Sequence, residues 1–98
     1  MIKLTKTMLE KSIIDCNKAC RDVALHCGVG FATMAPGDRD IVPAMINGAG
    51  SEVRFYRTNT ARGDRRISIK GLKQVAGIGD TVILYAGSGG VITVTVIK

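Results

Sequence analysis

The spacing of apolar residues changes once along this chain, and that change limits the fold more than any other feature. Up to residue 27, Leu9, Ile13, Cys16, Cys20, Val23 and Cys27 recur at alternating steps of four and three. Such steps place them on one stripe of an α-helix. Beyond Gly30 the period falls to two, as in Val53 and Phe55 or in Ile92, Val94 and Val96. That is the mark of strands buried on one face. A helix with one apolar stripe and a sheet with one apolar face each need the other for cover.

The helix is expected over residues 5–27. Thr5 or Thr7 supplies its cap, and Glu10 stands three residues after Thr7, as in a capping box. Gly28 and Gly30 in "CGVG" end it. Strands are expected in "GFATM" (30–34), "SEVRFYRT" (51–58), "RRISI" (65–69), "DTVILYA" (80–86) and "VITVTVIK" (91–98). "RDIVPAMI" (39–46) reads as extended and then broken by Pro43, and "GLKQVAGI" (71–78) as one or two helical turns. "APGD" and "GSGG" are turns, and "NGAG" is a loop. The 98 residues hold no Trp and only four Phe and Tyr together, so Ile, Val, Leu, Met and Cys must build the core. One domain over 1–98 is expected, helical in 1–30 and β-rich in 31–98.

One phrase occurs nearly twice. Gly37-Asp38-Arg39 aligns with Gly63-Asp64-Arg65, and Ile41 with Ile67. With a short insertion in the second copy, Val53 aligns with Val82, Phe55 with Leu84 and Tyr56 with Tyr85. A duplicated unit of about 30 residues cannot cover its own apolar face, so two copies should close against each other. Closure also removes sticky sheet edges. The expected fold class is therefore α+β: an N-terminal helix packed on a small barrel-like β-sheet built from two related β-rich halves.

The net charge of +6 is concentrated. Residues 54–73 carry Arg54, Arg57, Arg62, Arg65, Arg66, Lys70 and Lys73 against one acid, Asp64, which accounts for the whole excess. Cations so grouped neutralise phosphates and release counterions, fixing a protein on a duplex without reading its sequence. Arg66, Ser68 and Lys70 alternate outward on one expected strand and suit a β-ribbon in a groove. Arg54 and Arg57 would join from the neighbouring strand, and Arg62 and Arg65 from the turn between. The competing reading is a solvated edge whose cations discourage sheet aggregation. Tyr56 is the one nearby aromatic for base stacking, which favours duplex over single-stranded DNA.

The segment "RRISIKGLKQVAGIGDTVILYAGSGGVITV" resembles the swapped-hairpin AbrB and antitoxin family of DNA-binding proteins. Arg66-Ile67-Ser68-Ile69-Lys70 matches that family's basic strand, and Leu72 through Ala76 its short helix. Gly77, Gly79 and Asp80 match its turn, and residues 82–96 its hairpin. The layout also looks like plant-type pseudobarrel DNA-binding domains and their relatives in restriction enzymes. Lys70 stands where the family usually has Pro, and the long N-terminal helix lies outside the motif. The resemblance covers about a third of the chain and implies a DNA-binding regulatory protein, as a homodimer.

Other chemistries have less in their favour. Cys16, Cys20, His26 and Cys27 are the soft ligands, but Cys27 would lie about two turns beyond Cys20, roughly 10 Å further along the helix, too far for one tetrahedral ion. Cysteines on an apolar stripe act as small hydrophobes. "AGSGG" (86–90) precedes a strand and not the helix a phosphate loop requires. "RGD" (62–64) is read as coincidence. No catalytic set is visible: His26 beside Cys27 has no third orienting group, and Asp38, Asp40 and Asp64 sit in turns. No metal and no cofactor are expected. An enzyme on a small double-psi-like barrel would require Asp38, Asp64 and His26 to meet in one pocket. No apolar run approaches the roughly 20 residues of a membrane span, and the N-terminus lacks the apolar centre of a signal peptide. Three cysteines fit a reducing compartment, so a cytoplasmic location is expected. The alternative function is an interaction or inhibitor module whose basic face docks an acidic protein or a nucleic-acid-binding complex.

Overall fold

The helix expected over 5–27 is two shorter helices in the computed structural model, which describes residues 2–61 and 63–98. After strand β1 (Ile2–Lys3), helix α1 (Lys6–Lys11) starts at Thr5, whose Oγ1 accepts from the Met8 N–H at 3.3 Å. It stops at Ser12, which adopts the left-handed conformation with φ 53° and ψ 39°. The chain then forms a second short strand, β2 (Ile14–Asp15), before helix α2 (Lys18–His26). Asn17 caps α2, its Oδ1 accepting from the Cys20 N–H at 2.9 Å. A continuous helix would have aimed Ile13 at the core. The break buries Ile14 there instead, at 1% exposure, and that burial offsets the strain at Ser12.

Two other expectations are corrected. "GFATM" contains a 3₁₀ turn (Phe31–Thr33), not a strand. Phe31 stands edge-on to Phe55, ring centres 5.7 Å apart at 74°, a favoured aromatic geometry. Pro43 does not interrupt its segment: β3 runs unbroken from Arg39 to Ile46. Its neighbour β4 (Ala49–Arg57) pairs with it along the whole length, while its pairing with β7 (Ile92–Ile97) begins only at Ala44. The Asp38 carbonyl accepts from the Arg57 N–H and the Asn47 N–H bonds Val94. Alternation between these two points turns the Pro43 nitrogen toward β7, just beyond the paired stretch, where no donor is needed.

Strands β5 (Arg65–Ile69) and β6 (Thr81–Ala86), with the four-residue helix α3 (Leu72–Val75) between them, complete the chain's elements. The seven strands form one sheet in the order β1-β6-β7-β3-β4-β5-β2. All neighbours are antiparallel except β3 and β7, and the sheet curls into a half-barrel. Its edges, β1 and β2, are two residues each, which leaves little strand for another chain to extend. The inner face carries Val42, Ala44, Ile46, Val53, Phe55, Ile67, Ile69, Val82, Ile92 and Val94, all buried. Cys20 and Ala24 of α2, which lies against β6, join the same cluster.

The two aligned segments are not equivalent units. In the first, β3 and β4 are adjacent, whereas β5 and β6 of the second lie near opposite ends of the sheet. What recurs is a turn. The N–H of Ala35 donates to the Asp38 carboxylate and that of Asp38 to the Ala35 carbonyl; Gly77 and Asp80 repeat both bonds. Gly37 and Gly79 take φ of +90° and +89° inside these turns, a region costly for side chains. Each turn opens a β-hairpin, β3–β4 and β6–β7.

Candidate nucleic-acid interface

Strand alternation divides the predicted contact residues between two faces. Arg54, Arg66 and Lys70 share the outer face with Tyr56 and Ser68, since their neighbours Val53, Phe55, Ile67 and Ile69 are the buried ones. Arg57 and Arg65 have the opposite parity and sit directly across from one another at the rim of the inner face. The Arg57 Nε donates to the Gly63 carbonyl at 2.9 Å and its NH1 to the Met34 carbonyl at 2.7 Å. Arg65 donates from Nε to the Phe31 carbonyl at 3.3 Å. These two guanidiniums close loops over the core.

The remaining predicted residues also differ in their availability. Arg66 lies 3.3 Å from both Asp15 and Asp64, so two carboxylates screen it from a phosphate. Lys73 donates to the Glu10 carbonyl at 3.0 Å and ties α3 to α1. Lys70 meets Glu52 at 3.7 Å with both side chains exposed, a contact worth little and easily exchanged. Arg54 is exposed, flanked across the sheet by Ile41 and Ser68, with no acid paired to it among the described residues. Arg62 lies outside the described residues.

Two cations that the sequence window 54–73 left out stand beside Arg54. Arg39 faces outward opposite Tyr56, while Asp38 and Asp40 alternate to the other side of β3. Lys11 comes from the last turn of α1. Lys11, Arg39, Arg54 and the rim of Arg57 line a shallow depression of about 540 Å³ with Tyr56, Thr58, Asn59 and Ser68. None of its lining residues is acidic. Arg39 had only a weak parity signal, because Asp40 holds an even position and Ile41 and Met45 are apolar at odd ones; its register opposite Tyr56 is what sets it outward. Lys11 carried no such signal, because its approach depends on where α1 ends.

The other candidate groups are placed elsewhere. Asp38 and Asp80 serve their turns; the Gly77 N–H and then Lys98 Nζ, at 2.8 and 2.9 Å, hold the Asp80 carboxyl below the usual range. Asp64 faces Arg66, and His26 ends α2 on the surface. Cys27 is the C-cap of α2, and burial pushes its thiol up. Among the described residues no cluster of three or more metal-ligating side chains is assembled, and no helix is long and apolar enough to cross a membrane.

Fold and site together define a small α+β half-barrel with a basic patch on the outer face of β3, β4 and β5. No protein-family model matches the chain, and neither a curated protein nor a solved structure matches it.

Proposed function

We propose that this protein binds duplex DNA through the outer face of β3–β4–β5, as a small regulatory DNA-binding protein. The observation that carries the reading is the acid-free depression lined by Lys11, Arg39 and Arg54; Lys70, paired with Glu52, lines an adjoining depression that shares Arg54 and Ser68. Side chains of this kind donate to phosphate oxygens, while Tyr56, Asn59 and Ser68 add neutral hydrogen-bonding groups between them. The order of β5, α3, the Gly77–Asp80 turn and the β6–β7 hairpin agrees with the layout of the resembling families and supports the same reading. A homodimer belongs to it, since two copies would double a modest number of phosphate contacts; sedimentation velocity measures that.

The test is a gel-shift titration against duplex at several salt concentrations. Three or four phosphate contacts predict that log affinity falls with log salt at a slope of about −3. Replacing Arg39 and Arg54 together by Ala should flatten that slope by about 2, while Lys73→Ala leaves it unchanged. Absence of duplex binding at low salt, or indifference to the double substitution, refutes the proposal. A second reading has its own support. Ile41 and Met45 are 45% and 40% exposed on the same outer face, an apolar surface that phosphates do not need and an acidic protein would cover. Capture of a partner that survives nuclease treatment favours that reading.

A further inference from the structure

Helices α1 and α3 flank the end of β5 and leave a cavity of about 190 Å³ between them. Its floor is apolar. Ile14, Ile69 and Leu72 are buried there, and Met8 and Leu9 of α1 pack half-buried against the same core. Its rim is polar: Ser12, Ser68 and Gln74 bring neutral hydrogen-bonding groups, and Lys70 and Lys73 bring two positive charges. Among the described residues none that lines the cavity is acidic. The space equals that of about six waters, well below the roughly 300 Å³ at which pockets for drug-sized ligands begin.

Both cations are anchored without being neutralised. Lys73 Nζ donates to the Glu10 carbonyl at 3.0 Å, a bond that spans from α3 to α1 across the cavity. The Glu10 carboxylate itself turns to Lys6, at 3.8 Å. Lys70 is fixed through its backbone to β4: its N–H donates to the Glu52 carbonyl at 3.0 Å, and its carbonyl accepts from the Ser51 hydroxyl at 2.5 Å. The Lys70 ammonium meets the Glu52 carboxylate at 3.7 Å with both side chains exposed, a weak pair that another anion can replace.

An apolar floor beneath a cationic rim is complementary to one class of ligand. A neutral apolar molecule leaves the lysines unused, and a bare inorganic anion gains nothing from burying the floor. We propose that this cavity is a binding site for a small organic acid. Its short hydrocarbon body covers Ile14, Ile69 and Leu72, and its carboxylate accepts from Lys73 and Lys70. Ser12 and Ser68 also line the basic depression, so a bound acid lies beside the outer face of β5.

The test is a methyl NMR titration of the full chain, with benzoate as the probe and benzyl alcohol as the same ring without the charge. Benzoate should shift the Ile14, Ile69 and Leu72 methyls saturably, with a roughly millimolar Kd for so small a ligand. Benzyl alcohol should bind about tenfold more weakly. Lys73→Gln should weaken benzoate about fivefold and leave benzyl alcohol unchanged. Lys18→Gln removes the same charge at the start of α2, outside the cavity, and should change neither. The spectrum of each free variant shows whether it is folded, and Lys70→Gln carries the same expectation should Lys73→Gln loosen α3. Benzyl alcohol binding as tightly as benzoate overturns the proposal. So do methyl shifts that rise without saturating, or benzoate affinity indifferent to both lysine changes in folded variants. The titration contains no DNA, so its outcome is independent of the gel shift.

Discussion

Substituting Arg57 separates its structural role from the role its charge suggests. Its Nε and NH1 reach the Gly63 and Met34 carbonyls at 2.9 and 2.7 Å, joining the β4–β5 loop to the segment that follows Phe31. Gly63 and Met34 are both buried, so water replaces the lost donors poorly. Hydrogen bonds from charged donors contribute about 1.5–3 kcal/mol each, and partial solvent access to the half-buried arginine argues for the low end. Arg57→Ala should then cost about 3 kcal/mol. Arg57→Lys should cost about half of that, because an ammonium cannot reproduce the planar fork that reaches two carbonyls. With a denaturant slope of about 1 kcal/mol/M, the urea midpoint of Arg57→Ala falls by about 3 M. Melting drops by roughly 15 °C at about 5 °C per kcal/mol. Arg54→Ala is the control, exposed and unpaired among the described residues, and should stay within about 0.5 kcal/mol of wild type. Equal midpoints for the Arg57 and Arg54 variants would refute the division of cations by strand parity.

Two further predictions address the core and the second Gly-Asp turn. Phe55→Ala removes a fully buried ring that meets Phe31 edge-on, and should cost about 3–5 kcal/mol by urea unfolding, with Phe55→Leu costing less. Asp80 has its folded-state titration depressed by the Gly77 N–H and by Lys98, so its contribution is present above its unfolded value of about 4 and is lost as pH falls through the folded one. Asp80→Asn should therefore weaken the loss of stability below about pH 4; parallel curves for variant and wild type from acid to neutral pH would contradict this.

Much of the sheet was legible because period-two alternation is a local signal. β4, β5, β6 and β7 fall where Val53 and Phe55, Ile67 and Ile69, Val82, and Ile92 and Val94 place them. The N-terminal third was not, because Leu9, Ile13, Cys16 and Cys20 satisfy a helical period as well as Leu4, Ile14 and Cys20 satisfy the fold that forms. Only the pairing of Ile14 with Ile67 distinguishes them, and that partner lies over fifty residues away. Pro43 was misread because a proline's tolerance depends on which side of the strand its nitrogen faces. The division of the cations, in contrast, followed from parity: Arg54 and Arg57 are three residues apart and Arg65 and Arg66 adjacent, so neither pair shares a strand face. Arg39 needed the register, which sets it opposite Tyr56.

The register also explains how so basic a segment folds without repelling itself. Arg57 and Arg65 are direct cross-strand partners, an arrangement that destabilises a sheet when both charges stay unpaired. Here each guanidinium donates to a backbone carbonyl, of Gly63 and Met34 for one and of Phe31 for the other. On the outer face the cations are separated by neutral residues: Arg54 sits between Ile41 and Ser68, and Tyr56 between Arg39 and Arg66. The outward charge is accordingly diluted, and under the proposed function its affinity comes from a few phosphate contacts and weakens steeply with salt. Any preference for one duplex over another must then come from the groups between the cations, Tyr56, Asn59 and Ser68, because charge alone does not distinguish bases.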